Sequence, residues 1–204
     1  EDILNSPRRL GSTQTKLGDI GYTDVNGDGK IDGEDQVRIG KPTMPHFTYA
    51  FDFSLGYEGF TLSGLLYGTG ERYMTFGNRY QSGEGKYLYY ENQLNYWRPD
   101  NTGADFPRIS ISSGVNGNNN KAGSTFWMRN ASYLRLKDLQ LSYDFKYKYL
   151  KKCDWLQTCR VNLSGSNLFT ISGVSKFFDP ETSSTSGDGY PVQRVYSIGV
   201  TIGF

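Results

Sequence analysis

The chain has 204 residues, with 22 Lys and Arg against 21 Asp and Glu, a balance that gives no electrostatic argument for a nucleic-acid partner. Aromatic residues make up 15% beside an overall hydrophobic share of only 36%, with 16 Tyr and 25 Gly, so a Tyr-rich, turn-rich all-β fold is expected. No run approaches the roughly 18 apolar residues of a membrane helix. Strands that alternate apolar and polar side chains escape that test, because a window average hides their hydrophobic face. The start lacks the basic and apolar regions of a signal peptide and reads as if cut from something longer.

Residues 1–22 are polar, show no strand or helix period and read as loop. Residues 24–35 then fit a calcium-loop template. Asp24, Asn26 and Asp28 take its first, third and fifth positions, Gly29 the sharp turn at the sixth, and Lys30 offers its carbonyl at the seventh. Ile31 is the apolar eighth residue, Asp32 the ninth and Asp35 the twelfth. Asp in place of Glu at the twelfth position shortens the bidentate ligand, and dockerin-type loops resemble the segment there. Ca2+ is the expected ligand, because crowded carboxylates repel one another without a cation. The alternative is a loop held by the hydrogen bonds of its own Asx turns.

From His46 the alternation is regular. Phe47, Tyr49, Phe51, Phe53, Leu55 and Tyr57 fall on one side, and His46, Thr48, Ala50, Asp52, Ser54 and Gly56 on the other. A turn at Glu58-Gly59 leads into a returning strand with Phe60, Leu62 and Leu66 in phase. Between Thr69 and Thr125 the alternation disappears, apart from a short helix expected around Glu84 to Tyr96 and an Asn-rich tract at 115–121. The aromatics there (Tyr73, Phe76, Tyr80, Tyr87, Tyr89, Tyr90, Tyr96, Trp97) are expected above all to fold the loop on itself. Packing on a partner and stacking on sugar rings are the alternatives.

Residues 132–145 resume a strand, with Leu139, Leu141, Tyr143 and Phe145 in one phase and Leu134 and Leu136 in the other. Either a bulge lies near Lys137-Asp138 or the upper part of the strand stands beyond lipid. A basic turn follows at 146–158, bounded by Cys153 and Cys159, a pair able to form a disulfide in an oxidising compartment. Val161, Leu163 and Phe169 mark the next strand, opposite Arg160, Asn162, Ser164 and Ser166. A Ser/Thr/Gly-rich loop spans 170–189. The last strand, 190–204, sets Val192, Arg194, Tyr196, Ile198, Val200, Ile202 and Phe204 against Gln193, Val195, Ser197, Gly199, Thr201 and Gly203.

Five strands result, and their short and long connections alternate as in an antiparallel transmembrane β-barrel, with turns on the periplasmic side and long loops outside. Five strands cannot close in lipid, so they must join others, as part of a larger barrel or as one piece of a nicked chain. Residues 1–44 are then an extracellular loop with the calcium loop, and 45–204 are barrel strands and their loops. The competing fold is a soluble carbohydrate-binding β-sandwich with a calcium loop. A sandwich buries the large alternating residues, whereas a barrel leaves Phe47, Phe51, Phe53, Leu163, Ile198 and Ile202 outside. No catalytic role is expected: His46 is the single histidine, and no nucleophile or paired acid accompanies it.

Several stretches, in order and spacing, resemble SusC/RagA-type TonB-linked outer-membrane transporters in the carboxy-terminal part of the barrel. They are Gly18-Asp19-Ile20, the 24–32 loop, Ile39-Gly-Lys-Pro42, Phe47 to Phe51, Phe126 to Asp138, Ser164 to Ile171, and Gly189-Tyr190 running into Phe204. Lys41-Pro42 replaces a more usual Asn-Pro, and the cysteine pair is foreign to the pattern. The resemblance implies a 22-stranded barrel with a plug in the outer membrane of a Bacteroidetes-like Gram-negative cell. It further implies a SusD-like surface lipoprotein as lid, coupling to TonB through residues outside this chain, and import of oligosaccharides or peptides. It makes Phe204 the terminal signal read by the assembly machinery.

Overall fold

The computed structural model describes residues 2–12, 15–81, 90–109, 119–182, 184–185, 189–190 and 192–204. Most of the strand residues lie in one antiparallel meander built from β1 (Phe47–Tyr57), β2 (Phe60–Gly70), β5 (Tyr133–Asp144), β6 (Thr158–Ser172) and β7 (Val195–Gly203), in the spatial order β1-β2-β5-β6-β7. Two three-residue strands, β3 (Tyr73–Thr75) and β4 (Met128–Asn130), pair with each other just beyond the ends of β2 and β5. This ribbon lies where the sequence showed no alternation, since three residues are too few to display a period.

Glu58 and Gly59 turn β1 into β2 with φ of 45° and 85°, the paired positive angles of a two-residue hairpin turn. β5 and β6 are joined by a compact connection that starts with one 3-10 turn, Phe145–Tyr147. Both short connections lie at one end of the sheet, and the long connections 71–132 and 173–194 lie at the other. β6 runs three residues beyond each expected limit, and β7 begins at Val195 rather than Tyr190.

The bulge in β5 is real. Its pairing with β2 passes from Leu65↔Asp138 to Leu66↔Leu136, leaving Lys137 as the extra residue. That one residue brings Leu134 and Leu136 onto the same face as Leu139 and Leu141, which resolves the conflict of phase in the sequence. β6 answers with its own irregularity at Asn167, whose φ is 54°.

All five strands consequently show the same face: Phe51 beside Leu66, Leu66 beside Leu136, Leu136 beside Phe169, and Leu141 beside Leu163 beside Ile198. The opposite face carries Ser63, Gln140, Ser142, Asn162, Ser164 and Ser197 at the matching positions. Among the described residues no second sheet covers the apolar face: Phe47 is 52% exposed, Phe51 61%, Leu163 54%, Ile198 77% and Ile202 53%. Phe53 is half-buried because its ring covers Gly64 so closely that a Cβ there would stand 2.7 Å from it. Tyr49 covers Gly68 and Phe47 covers Gly70 in the same way. The exposed face favours the barrel over the sandwich, and the sheet is an unclosed piece of barrel wall.

The buried core lies in the connections. Ile20, Met74, Phe76, Tyr80, Phe106, Trp127, Ala131, Val174 and Phe178 form one cluster, with Tyr22, Tyr90, Tyr96, Phe126 and Phe177 packed against it. Phe76 is central, edge-on to Trp127, Phe177 and Phe178 at centroid distances of 6.2, 4.8 and 5.8 Å. The aromatics of the long connection thus do fold it on itself. Around the expected helix, residues 78–81 form one α-turn and 91–94 a 3-10 turn; Glu84, Tyr87 and Tyr89 lie outside the described residues, as do 115–118 of the Asn-rich tract.

Candidate functional site

Three surfaces follow from this arrangement: the outer apolar face, the inner polar face, and the loop body above them. The outer face is aromatic at both ends, with Phe47 and Tyr49 near the loops and Tyr57, Phe60 and Tyr143 near the turns. Phe60 and Tyr143 meet at 4.4 Å. Aromatic rings favour the two interfaces of a bilayer and aliphatic side chains its centre, and the strands follow that gradient. A contiguous apolar face across five strands far exceeds the scattered exposure of soluble surfaces.

The loop body is fastened by two polar clamps. In the first, Asp19, with its side chain fully buried, receives Arg108 Nη2 at 3.0 Å, Asn120 Nδ2 at 2.9 Å and the amide of Lys16 at 2.8 Å. Asn119 and Asn120 bracket Ile20: the Ile20 amide donates to Asn120 Oδ1 at 2.8 Å, and Asn119 Nδ2 donates to the Ile20 carbonyl at 2.8 Å. Trp127 Nε1 donates to the Asn120 carbonyl at 2.8 Å, which joins the clamp to the aromatic core. Tyr22 donates to the Asn119 carbonyl at 2.5 Å, and burial pushes its phenol up to about 12, so it remains a donor. Gly18, at φ 84°, lies beneath the Trp97 ring where a Cβ would collide.

The second clamp fixes the β6–β7 connection to the inner face of the wall. Arg135 alternates with Leu134 and Leu136, so it points inward, and its side chain is 1% exposed. Its guanidinium meets Asp179 Oδ2 at 2.6 Å and Glu181 Oε2 at 2.6 Å, and Nε donates to Thr170 Oγ1 at 2.8 Å. Glu181 also accepts from Tyr133 at 2.6 Å and pairs with Lys137, the bulge residue, at 2.9 Å. Burial alone would raise the Glu181 pKa, but the bonds from Tyr133 and Lys137 and the charge of Arg135 hold it below its usual value. Arg72 adds a bond to the Pro180 carbonyl.

The acidic loop is shaped by its own amides. Asp24 accepts from Gly27 at 2.6 Å and Gly29 at 2.8 Å, Asn26 from Asp28 at 3.0 Å, and Asp28 from Lys30 at 2.8 Å. Asp32 accepts from Glu34 at 2.9 Å, and Asp35 from Val25 and Asp32, both at 2.8 Å. The bonds from Asp32 and Val25 hold the Asp35 carboxyl below its ordinary range. Ile31 is buried and bridged to Arg9. Among the described residues no three His, Cys, Asp or Glu side chains are gathered as a metal site requires. The six expected ligands lie in one loop, and the side chains of five of them accept from loop amides.

Cys153 and Cys159, the pair able to form a disulfide, are separate thiols in this structure: Cys159 is held in the β6 ladder opposite Ile202, and Cys153 in the turn. Phe204 stacks on Trp155 at 5.7 Å and 12°, and the Gln157 amide donates to the Gly203 carbonyl at 2.8 Å. His46 pairs with exposed Glu71 at 2.5 Å at the loop end of the wall. Reading the sequence missed both clamps. The signal for Arg135 was an arginine in the polar phase of a strand, two residues after a tyrosine; the Asp19 clamp joins residues about a hundred positions apart and left no local sign.

No protein-family model matches the chain. It is 27% identical over 196 residues to TonB-dependent receptor P3 of Formosa agariphila, and 27% over 202 residues to TonB-dependent receptor P26 of the same organism. These matches cover 90% and 92% of this chain but 19% and 20% of those proteins, so the chain spans about a fifth of the length of the curated relatives it matches. Among solved structures, the RagAB peptide importer in its open-open state superposes with a TM-score of 0.65 at 27% identity, over 86% of this chain and 19% of the other. Its closed-closed state gives 0.66 at 27% identity, over 90% and 20%.

Proposed function

We propose, from the premise that this chain is a barrel segment of a TonB-dependent receptor of the SusC/RagA type, that it forms wall and extracellular loops of an outer-membrane importer. Receptors of this family transport rather than catalyse, in keeping with the absence of a catalytic reading for His46. The carrying observation is the apolar outer face, continuous over five strands and backed by a polar inner face. Lipid is the solvent that such a face requires, and a polar lumen is what its reverse side lines.

In this reading the long connections face outward, and the loop body fastened by Asp19 and Arg135 is a rigid rim at the mouth. RagAB is a peptide importer; by that likeness the cargo is a peptide, or an oligosaccharide as in the wider family, taken up beneath a SusD-like surface lipoprotein. Energy comes through TonB acting on parts of the receptor outside this chain. Deleting the receptor should abolish growth on the imported oligomer and leave growth on its monomer intact, and the complete receptor should restore it. Growth on the oligomer without the receptor would refute the assignment.

Calcium at 24–35 rests on the ligand spacing and on charge: five acids, Asp24, Asp28, Asp32, Glu34 and Asp35, stand against Lys30 alone. The residue types suit a hard cation, with Asp24, Asn26, Asp28, Asp32 and Asp35 supplying side-chain oxygens and Lys30 a carbonyl. Bound Ca2+ would stiffen the outer loop. Calcium should protect the loop from protease in the intact receptor, and exchange of Asp24 and Asp28 for Ala should remove that protection; equal cleavage with and without chelator counts against the site.

A further inference from the structure

The connection between β5 and β6 carries four lysines, Lys146, Lys148, Lys151 and Lys152, against Asp154 as its one acid. Lys146 is engaged within it, its ammonium donating to the carbonyls of Cys153, at 3.0 Å, and Leu156. Asp144, the last residue of β5, accepts from the Lys146 amide at 2.9 Å and faces Arg160 on the inner side at 3.7 Å. Lys151 lines the cleft there, beside Arg160. Lys148 and Lys152 are exposed and make no ion pair among the described residues.

The aromatic rings of the same connection lie on the other side, at the foot of the apolar face. Tyr149 is 68% exposed, and its ring stands 6.3 Å from that of Tyr143, which is in the outer phase with Leu139 and Leu141 and meets Phe60. Trp155 is 67% exposed and stacks on Phe204, which continues the outer phase of Ile198 and Ile202. Both rings are held in place by the folded connection: the Leu150 amide donates to the Phe145 carbonyl at 2.9 Å, and the Leu156 amide to the Cys153 carbonyl at 3.2 Å. Each ring has one of the two unpaired lysines close in sequence, Lys148 next to Tyr149 and Lys152 three residues before Trp155.

The rings continue the outer face past the ends of the strands, so whatever covers them borders the bilayer, and headgroups already occupy that layer. Aromatic rings favour this level, and a lysine there lays its stem along apolar surface while its ammonium reaches the polar layer. Two cations without protein partners distinguish one headgroup from another, because they attract a net negative one and gain little from a zwitterion. We propose that Lys148 and Lys152, beside Tyr149 and Trp155, bind the headgroups of anionic phospholipids in the leaflet at the turn end. The proposal rests on the transporter reading, which sets the short turns in the periplasm and the outer face in lipid.

The test uses the complete receptor in phosphatidylcholine vesicles, with a fluorophore on a cysteine placed at 157 (Gln157→Cys, with Cys153→Ser and Cys159→Ser). Quenching by brominated phosphatidylglycerol is compared with quenching by brominated phosphatidylcholine. Phosphatidylglycerol should quench at the lower mole fraction, and added salt should shrink the difference. K148Q and K152Q should each lower the preference about five-fold, and the pair together should bring it close to parity. K148R/K152R should keep it, which a merely structural role for the lysine stems would not require. A label at the loop end, on Met44→Cys, where nearby Lys41 lies over the Tyr73 ring at 4.9 Å, should show no preference. Equal quenching by the two lipids at 157, or a preference that survives K148Q/K152Q, overturns the site and leaves the transporter reading standing. A label at 157 quenched by neither lipid refutes both, since the foot of the wall would then not meet a bilayer.

Discussion

The wall and the loop body solve opposite problems with the same aromatic-rich composition. The wall turns Phe51, Leu55, Ile198 and Val200 outward, all more than 60% exposed, and buries almost no large side chain beneath the sheet. The loop body gathers Phe76, Trp127 and Val174 to 1% exposure or less and secures them with buried polar clamps. A surface is therefore apolar or polar according to the solvent it meets, and only the loop body contains a core in the ordinary sense. Truncations should injure the loop body, and added charges should injure the wall.

The largest effects are expected where the loop body is densest. Trp127→Ala, which removes a fully buried ring and the bond to Asn120, should cost about 3–5 kcal/mol in the loop body, seen as lost amide protection across 119–130 while the strands remain protected. Arg135→Gln leaves Asp179 without its cation and Glu181 with Lys137 alone, and breaking such a buried pair costs about 3–5 kcal/mol. The β6–β7 connection should then become cleavable by protease, without loss of barrel insertion. On the wall, Ile198→Arg should cost about 2–4 kcal/mol of folding free energy in vesicles, and Ser197→Arg, one residue away but facing the lumen, far less. Equal costs at the two positions would erase the distinction between the faces.

The smallest effect is on pH. Glu181 and Asp35 are both held below their ordinary values of 4.5 and 3.8 in the folded state. Groups shifted in that direction contribute stability that is complete above those values and is lost as pH falls through the lower folded ones. Protease resistance of the two loops should therefore hold from neutrality to about pH 5 and decline below it, sooner for the connection held by Glu181, while the wall, whose outer face carries no such groups, is unaffected.

The same contrast explains what the sequence disclosed. Strand side chains alternate with period two, so Phe47 to Tyr57 and Tyr196 to Phe204 announce their faces residue by residue, and the leucine phases of β5 even locate the bulge at Lys137. The loop body has no such period. The Asp19 to Asn120 bond, the Arg135 to Glu181 pair and the meeting of Phe76 with Phe177 depend on how distant connections fold over the wall, and nothing local encodes those distances. Gly18-Asp19-Ile20 could be picked out only by resemblance. The spacing of 24–35 was plain, and its side chains accept from loop amides, since Asx turns and cation ligation draw on the same residue types.

Everything about the wall depends on which face meets lipid. Nitroxide labels placed one at a time from 195 to 203 in the complete receptor, reconstituted in vesicles, measure this by their collisions with dissolved oxygen and with a water-soluble nickel chelate. Oxygen access should be high at 196, 198, 200 and 202 and low at 195, 197, 199 and 201, a period of two in the phase of the outer face. A flat profile, or the same period with the phase reversed, would contradict the account.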